Sequence, residues 1–574
     1  MNEGTRGRTG LFVALAVAVA LIVGFGTIRD RIPAAACVGG ISLVVAASQE
    51  KATLLKELAD TYEAARPTVD GRCVDVQVVS KASGDAEQAL ASGWDATVDG
   101  PRPDVWSPAS SAWLTLLRQH RASRDAQDIV ADRNPSLMRS PLVLAMPLKM
   151  AEALGWPDAS LGWADVVELA TDPQGWARHG HPEWGRFRLG KTNPMVSTSG
   201  LHALVASFFA ATGRAADLTE RDVTDPRVLA YVRAIESAVV HYGETVSTFT
   251  GNLREVDERG AALSYVSAIA IEEKQVLDYN LRSPAMPLAA IYPKEGTLVA
   301  DHPYAVLNVA WVDAAKRAAA AHFLGFLEGA GPQERFRAAG FRDHDGRGGP
   351  QISIASGLMP AGAPVTIDPP APAVLARIQA QWNDVRKRAR ILMVLDVSGS
   401  MEGTKLELMR SAALTALDHF AGDDELGLWS FEFTASELVS VGPLAANVGA
   451  LGPRRDVAKD RVRRLAASGG TALYATVRAS VDHLRAARAP DRINAVIFLT
   501  DGRNEHTDRD IDGLLRFLES EDEERRVRVF TIGYGKDADQ ATLKKIAKAT
   551  RGAFYDASTP QTIERVFRDV VSNF

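Results

Sequence analysis

Five oxygen-bearing residues stand out in the last third of the chain: Asp396, Ser398 and Ser400 in ILMVLDVSGSM, Thr471 in SGGTALY, and Asp501 in AVIFLTDG. In each segment small or apolar residues lead into a loop of polar ones. Together the five supply hydroxyls and carboxylates, the hard oxygen donors that a Mg²⁺-like cation prefers. The pattern predicts a divalent metal site at one edge of a parallel sheet, left open so that a partner completes it. His419 and His483 fall inside helix patterns and read as surface or packed imidazoles. No nucleophile with a paired base is found nearby, so no catalytic residue is assigned and no enzyme activity is expected.

Those loops need a scaffold that brings distant segments together. From Arg388 onward, apolar strand patterns alternate with amphipathic helices: RILMVLDVS, KLELMRSAALTALDHF, ELGLWSFEF, ELVSVGPL, ALYATVRASVDHLRAA, INAVIFLTD and VRVFTIGYG. ELGLWSFEF and ELVSVGPL are close enough to form a hairpin. The alternation predicts a mostly parallel, Rossmann-like doubly wound sheet of about six strands, with ligands at the carboxyl ends of its strands.

The set Asp396-x-Ser398-x-Ser400, Thr471 and Asp501-Gly502 resembles the metal-ion-dependent adhesion site of von Willebrand factor A domains, over residues 388–574. The resemblance implies Mg²⁺, or Mn²⁺ or Ca²⁺ in its place. It implies that Ser398 and Ser400 touch the metal, and that Thr471 binds it directly or through water. Asp396 and Asp501 would act through water or by orienting those ligands. Hydroxyls neutralise little of the charge, so the implied sixth ligand is a Glu or Asp from a protein partner.

The region before this domain also alternates strand and helix. Its segments AASQEKATLLKELADTYEA, PDVWSPASSAWL, SPLVLAMP, LGKTNPMVSTSGLHAL and YPKEGTLVADHPYAVL resemble type 2 periplasmic solute-binding proteins, which are bilobed α/β receptors. SPLVLAMP reads as a strand leaving the first lobe. LAAIYPKEGT and YAVLNVAWV read as strands returning to it. The resemblance implies a small-molecule solute between the lobes, held by hydroxyls and helix N-termini, an arrangement that suits an anion. Ser48, Ser83, Ser107, Thr198 and Ser199 precede predicted helices and are the candidate ligand-binding residues; simple N-capping is the alternative. No Arg or Lys is placed to fix a charge. The segment from Gly185 to Thr192 matches the phosphate-loop pattern GxxxxGK[ST], but RFRL is strand-like, and Pro194 interrupts the helix such a loop requires.

At 574 residues the chain is too long for one core. Boundaries are expected at 1–36 (an N-terminal tip and membrane segment), 37–341 (the bilobed domain), 342–387 (a Gly/Pro-rich linker and connecting helix) and 388–574. Leu11 to Ile28 is an uninterrupted apolar run, at the lower length limit for a membrane-spanning helix. An uncleaved single-pass anchor with the bulk of the chain outside the cytoplasm is expected. A cleaved signal, or a lipoprotein at Cys37, is the alternative. The two cysteines, Cys37 and Cys73, both follow that run and suit one extracytoplasmic disulfide. A net charge of −6 argues against a nucleic-acid partner. The expected role is therefore a membrane-anchored binding protein whose metal captures a partner's carboxylate. The alternative is a solute-binding receptor of a transport or sensing system that captures a small ligand, anionic or not, between the two lobes.

Overall fold

The computed structural model describes residues 39–243, 245–519 and 526–574. The apolar run Leu11 to Ile28 and Cys37 lie outside them, so the anchor and the Cys37–Cys73 pairing stay expectations. Among the described residues no helix is long and apolar enough to cross a membrane.

The first lobe is built on GISLVVAA. This strand, Gly40–Ala47, pairs in parallel with Arg72–Ser80 and Val105–Ser107. Leu43 and Val45 are fully buried, as expected where helices cover a parallel sheet. Ala305–Val306 closes one edge of this sheet antiparallel to Val105–Ser107. The second lobe is organised around Met138–Pro147, the strand that leaves the first lobe. It pairs antiparallel with Ala268–Glu272, Leu288–Ile291, Val299–Ala300 and Arg342–Asp343. LAAIYPKEGT therefore does not return to the first lobe. Leu288–Ile291 stays in the second sheet, where it is wholly buried against Leu144 to Pro147. Of the two segments, only YAVLNVAWV returns, through Ala305–Val306.

Residues 342–387 are not a free tether. Arg342–Asp343 is a sheet strand, Thr366 bridges to Thr297, and Ile352, Leu358 and Ile367 are buried. The helix Pro372–Val385 packs on helices of both lobes, including Ser111–Ala122 and Thr198–Thr212. Its apolar face, Leu375, Ile378, Trp382 and Val385, joins a core that continues into the last domain. The Gly and Pro content that predicts a linker here provides turns between packed segments instead.

The last domain is a six-stranded sheet in the order Ala435–Pro443, Glu425–Phe431, Ala389–Asp396, Ile493–Thr500, Arg528–Tyr534 and Phe554–Ala557. All pairs are parallel except the predicted hairpin, Glu425–Phe431 with Ala435–Pro443. The two central strands are apolar on both faces because helices cover both. The end of the chain docks on the second lobe: Asn193 Nδ2 donates to the Ser572 carbonyl at 2.8 Å, and Tyr242 N to the Asn573 carbonyl at 3.2 Å.

Candidate functional site

Ala389–Asp396 and Ile493–Thr500 are parallel neighbours in register Leu395 to Leu499. Their carboxyl ends therefore arrive side by side, and the loops that follow bring Asp396 and Asp501 to one sheet edge. The Ser398 N–H turns back to Asp396 Oδ1 at 2.8 Å, which folds the serine loop over the strand end. Ser398 Oγ and Ser400 Oγ then lie 3.0 Å apart, and Ser400 Oγ donates to Asp501 Oδ1 at 2.7 Å. A third loop closes the set. Gly399 N donates to the Gly469 carbonyl, Ala472 N to the Glu432 carbonyl and Glu505 N to the Thr471 carbonyl, at 3.0, 2.7 and 2.9 Å. A Cβ on Gly502 would lie 2.8 Å from Thr471 Oγ1, so only glycine after Asp501 admits this approach. All five predicted residues thus meet at one edge.

Asp396 and Asp501 have no exposed surface. Burial pushes the Asp396 carboxyl up to about 6, while hydrogen bonds from Thr500 and Ser398 pull the other way. Two further residues complete the site. Thr500 Oγ1 donates to Asp396 Oδ2, and Lys405 Nζ sits 2.5 Å from Asp501 Oδ2. Thr500 directly precedes Asp501, and its inward position follows from the strand pattern. Nothing local marks Lys405, whose reach to Asp501 depends on how its helix packs. Among the described residues no group of three or more His, Cys, Asp or Glu side chains is placed to hold a metal ion. A cation at this edge would therefore depend on the neutral hydroxyls.

Between the lobes, Ser48, Ser83, Thr198 and Ser199 line a cavity of about 120 Å³. Ser107 does not line it; it is fully buried and donates to the Pro303 carbonyl at 2.7 Å. Capping explains little. Ser48 holds the helix entrance, but its hydroxyl meets the Glu50 carboxylate and the Lys51 ammonium, the latter at 2.8 Å. Ser83 Oγ accepts from Ala109 N, and Thr198 Oγ1 from Trp113 Nε1, at 3.1 and 2.8 Å.

The charge of this cavity runs against the expected anion. Glu50 and Glu272 line it, and no Lys or Arg does. Lys51 lies behind it, with its ammonium committed to Ser48 Oγ, the Pro108 carbonyl and His302 Nδ1. Burial, then the neighbouring Glu50, holds the Glu272 carboxyl well above the usual range. An anionic solute would face two carboxyl groups. The fold causes this by carrying Glu272, at the end of Ala268–Glu272, to the helix entrance at Glu50.

The GxxxxGK[ST] match is not a phosphate loop. Its lysine, Lys191, is in a strand, fully buried and ion-paired with Glu236.

Two family descriptions match the chain: bacterial extracellular solute-binding protein over residues 43–342, and von Willebrand factor type A domain over residues 391–569. An uncharacterised protein of Mycobacterium tuberculosis (strain H37Rv) is 27% identical over 588 residues, covering 97% of this chain and 82% of that one. Among solved structures, the periplasmic binding protein P5PA aligns with 60% of this chain and 99% of its own, at 12% identity and a TM-score of 0.40. A von Willebrand factor type A protein from Catenulispora acidiphila aligns with 33% of this chain and 43% of its own, at 24% identity and a TM-score of 0.27.

Proposed function

This chain belongs to the bacterial extracellular solute-binding protein family and carries a von Willebrand factor type A domain behind that region; from this premise we propose that it is an extracytoplasmic binding protein whose type A domain uses a divalent cation to capture an acidic side chain of a protein partner. The observation that carries this reading is the convergence of Ser398, Ser400, Thr471, Asp396 and Asp501 on one sheet edge. In an octahedral Mg²⁺ shell with bonds of about 2.1 Å, adjacent oxygens are about 3.0 Å apart. Ser398 Oγ and Ser400 Oγ have that separation, 3.0 Å.

Mg²⁺ is the preferred ion, with Mn²⁺ or Ca²⁺ as substitutes. Ser398 and Ser400 would hold it directly. Thr471 would hold it directly or through water. Asp396 uses both oxygens on Ser398 N and Thr500 Oγ1 and so positions the serine loop. Asp501 orients Ser400. When bound, the cation supplies an electrophilic position for a partner's Glu or Asp oxygen. The remaining lines of the reading are a single-pass anchor through Leu11 to Ile28, with the bulk outside the cytoplasm, and a Cys37–Cys73 disulfide.

The test is capture of envelope proteins by the full chain with and without EDTA, beside an Asp396→Ala variant. The proposal expects a partner that is lost in both the EDTA and the Asp396→Ala samples. A partner retained in both overturns it.

The cavity between the lobes favours a second reading, a receptor for a small solute. Its lining of hydroxyls and two carboxyl groups suits a solute rich in hydrogen-bond donors. A solute present at 100 times its Kd stabilises the folded chain by about 2.7 kcal/mol. Thermal melts against a solute panel test this; no stabilisation across amines, polyols and oxyanions would sink it.

A further inference from the structure

We propose that the junction between the two halves of the chain is a binding site for a soluble, multivalent phosphate-bearing anion. The site is a cavity of about 450 Å³, walled on one side by the solute-binding half around Arg186 and Val240, and on the other by the type A half around Arg488 and Arg492, with Lys387 of the connecting segment beside it. Seven of its lining residues are Lys or Arg, and Asp491 is the one carboxylate among them. The whole chain has a net charge of −6, so composition does not account for this concentration.

Like charges gathered in a partly enclosed space repel strongly unless something neutralises them. The cations here are not all neutralised by their neighbours. Arg186 and Arg488 have no hydrogen bond or ion pair among the described residues. Among the described residues, Lys387 Nζ donates to a neutral acceptor, the Val239 carbonyl, at 2.8 Å. Burial, helped by Arg528 and Arg488 and opposed by Asp491, lowers the Lys387 ammonium to about 8. By contrast, Arg492 is anchored on the Asp423 carbonyl and Glu425, and Arg188, Arg526 and Arg528 have partners of their own. That leaves guanidinium heads on both walls, and a guanidinium binds phosphate through paired N–H donors. A single small anion would neutralise one or two of these cations. An oligophosphate fits both the volume and the charge, and it would join Arg186 on one half to Arg488 on the other.

This site is separate from the metal edge. Ile493 and Asn494 line it at the start of the strand whose far end is Thr500. At about 3.3 Å per residue the two ends are on the order of 20 Å apart. The proposal does not rest on the solute-binding or the metal reading.

The test is calorimetric titration of the full chain with sodium tripolyphosphate at 50 and 200 mM NaCl. The expected result is a saturable, salt-weakened isotherm, reduced at least tenfold in an Arg186→Glu/Arg488→Glu protein that still melts cooperatively. No isotherm in the wild-type chain, or one unchanged in that variant, overturns the proposal. Capture by phosphatidylglycerol vesicles without tripolyphosphate binding also overturns it, because the surface would then read a membrane. A third protein carries Gln or Asn at Glu521, Asp522, Glu523 and Glu524. Tripolyphosphate binding that appears only in this third protein overturns the proposal as well, because the counter-ion would be the chain itself.

Discussion

Thr500 Oγ1 donates to Asp396 Oδ2 across two neighbouring parallel strands, and neither residue has exposed surface. The other oxygen of Asp396 accepts from Ser398 N at 2.8 Å. Both carboxylate oxygens are therefore committed within the protein. Asp396 sets the position of the serine loop, and Thr500 sets the position of Asp396.

Thr500→Val keeps the shape of the side chain and removes that donor. The variant is expected to bind Mn²⁺ about 10- to 100-fold more weakly, the usual effect of losing an outer partner of a metal ligand. It is also expected to lose about 1–3 kcal/mol of stability, because Asp396 Oδ2 is left buried without its donor. Calorimetric titration and urea melts measure the two effects. Unchanged affinity would mean that Asp396 is positioned by Ser398 alone.

Lys405 places an ammonium 2.5 Å from Asp501 Oδ2 and is a quarter exposed. Its charge opposes a cation at the same edge. Lys405→Met is therefore expected to raise Mn²⁺ affinity about tenfold, equivalent to about 1.4 kcal/mol. Weaker binding in this variant would show that the lysine serves mainly to orient Asp501.

Both fold classes and the convergence of five oxygen-bearing residues at one sheet edge were legible in the sequence because their signals are local. ILMVLD and AVIFLTD are apolar on both faces, and each ends in an oxygen-rich loop. Thr500 and Lys405 were not legible as partners of Asp396 and Asp501. Those contacts join residues 104 and 96 positions apart and depend on strand order and helix packing. The approach of Glu272 to Glu50 was hidden for the same reason, and it lines the cleft with carboxyl groups. The stretch from Arg342 to Pro372 misled because glycine and proline mark turns without showing whether the turns join packed or free segments.

Lys191 tests the rejected phosphate loop. Its ammonium pairs with Glu236, whose other oxygen accepts from Tyr242 Oη at 2.7 Å; Tyr242 Oη in turn accepts from Lys387 N at 2.9 Å. Lys191→Met strands a buried carboxylate and should destabilise the chain by about 3–5 kcal/mol. Urea melts measure this, and a loss well below that range would contradict the buried ion pair and restore the phosphate-loop reading.

Acid should weaken the bilobed half. His202 is fully buried, with Nε2 2.9 Å from Ser110 Oγ, and burial lowers its imidazole to about 3. The unfolded chain binds this proton near pH 6.5, so between pH 6.5 and 3 the unfolded state holds more protons and stability falls as pH falls. The expected slope from His202 is about 1.4 kcal/mol per pH unit in that window. His302, buried beside Lys51, is lowered in the same direction. Urea melts at pH 6.5 and 4.5 should show the loss, and His202→Gln should reduce it. An identical pH slope in the variant would assign the loss to other groups.

The most direct measurement is anomalous diffraction at the manganese edge from crystals of the full chain soaked in MnCl₂. The predicted result is a single strong peak about 2.2 Å from Ser398 Oγ and Ser400 Oγ, absent in Asp396→Ala crystals. A wild-type map with no peak at that sheet edge would contradict the metal site, and with it the proposed capture of a partner's carboxylate.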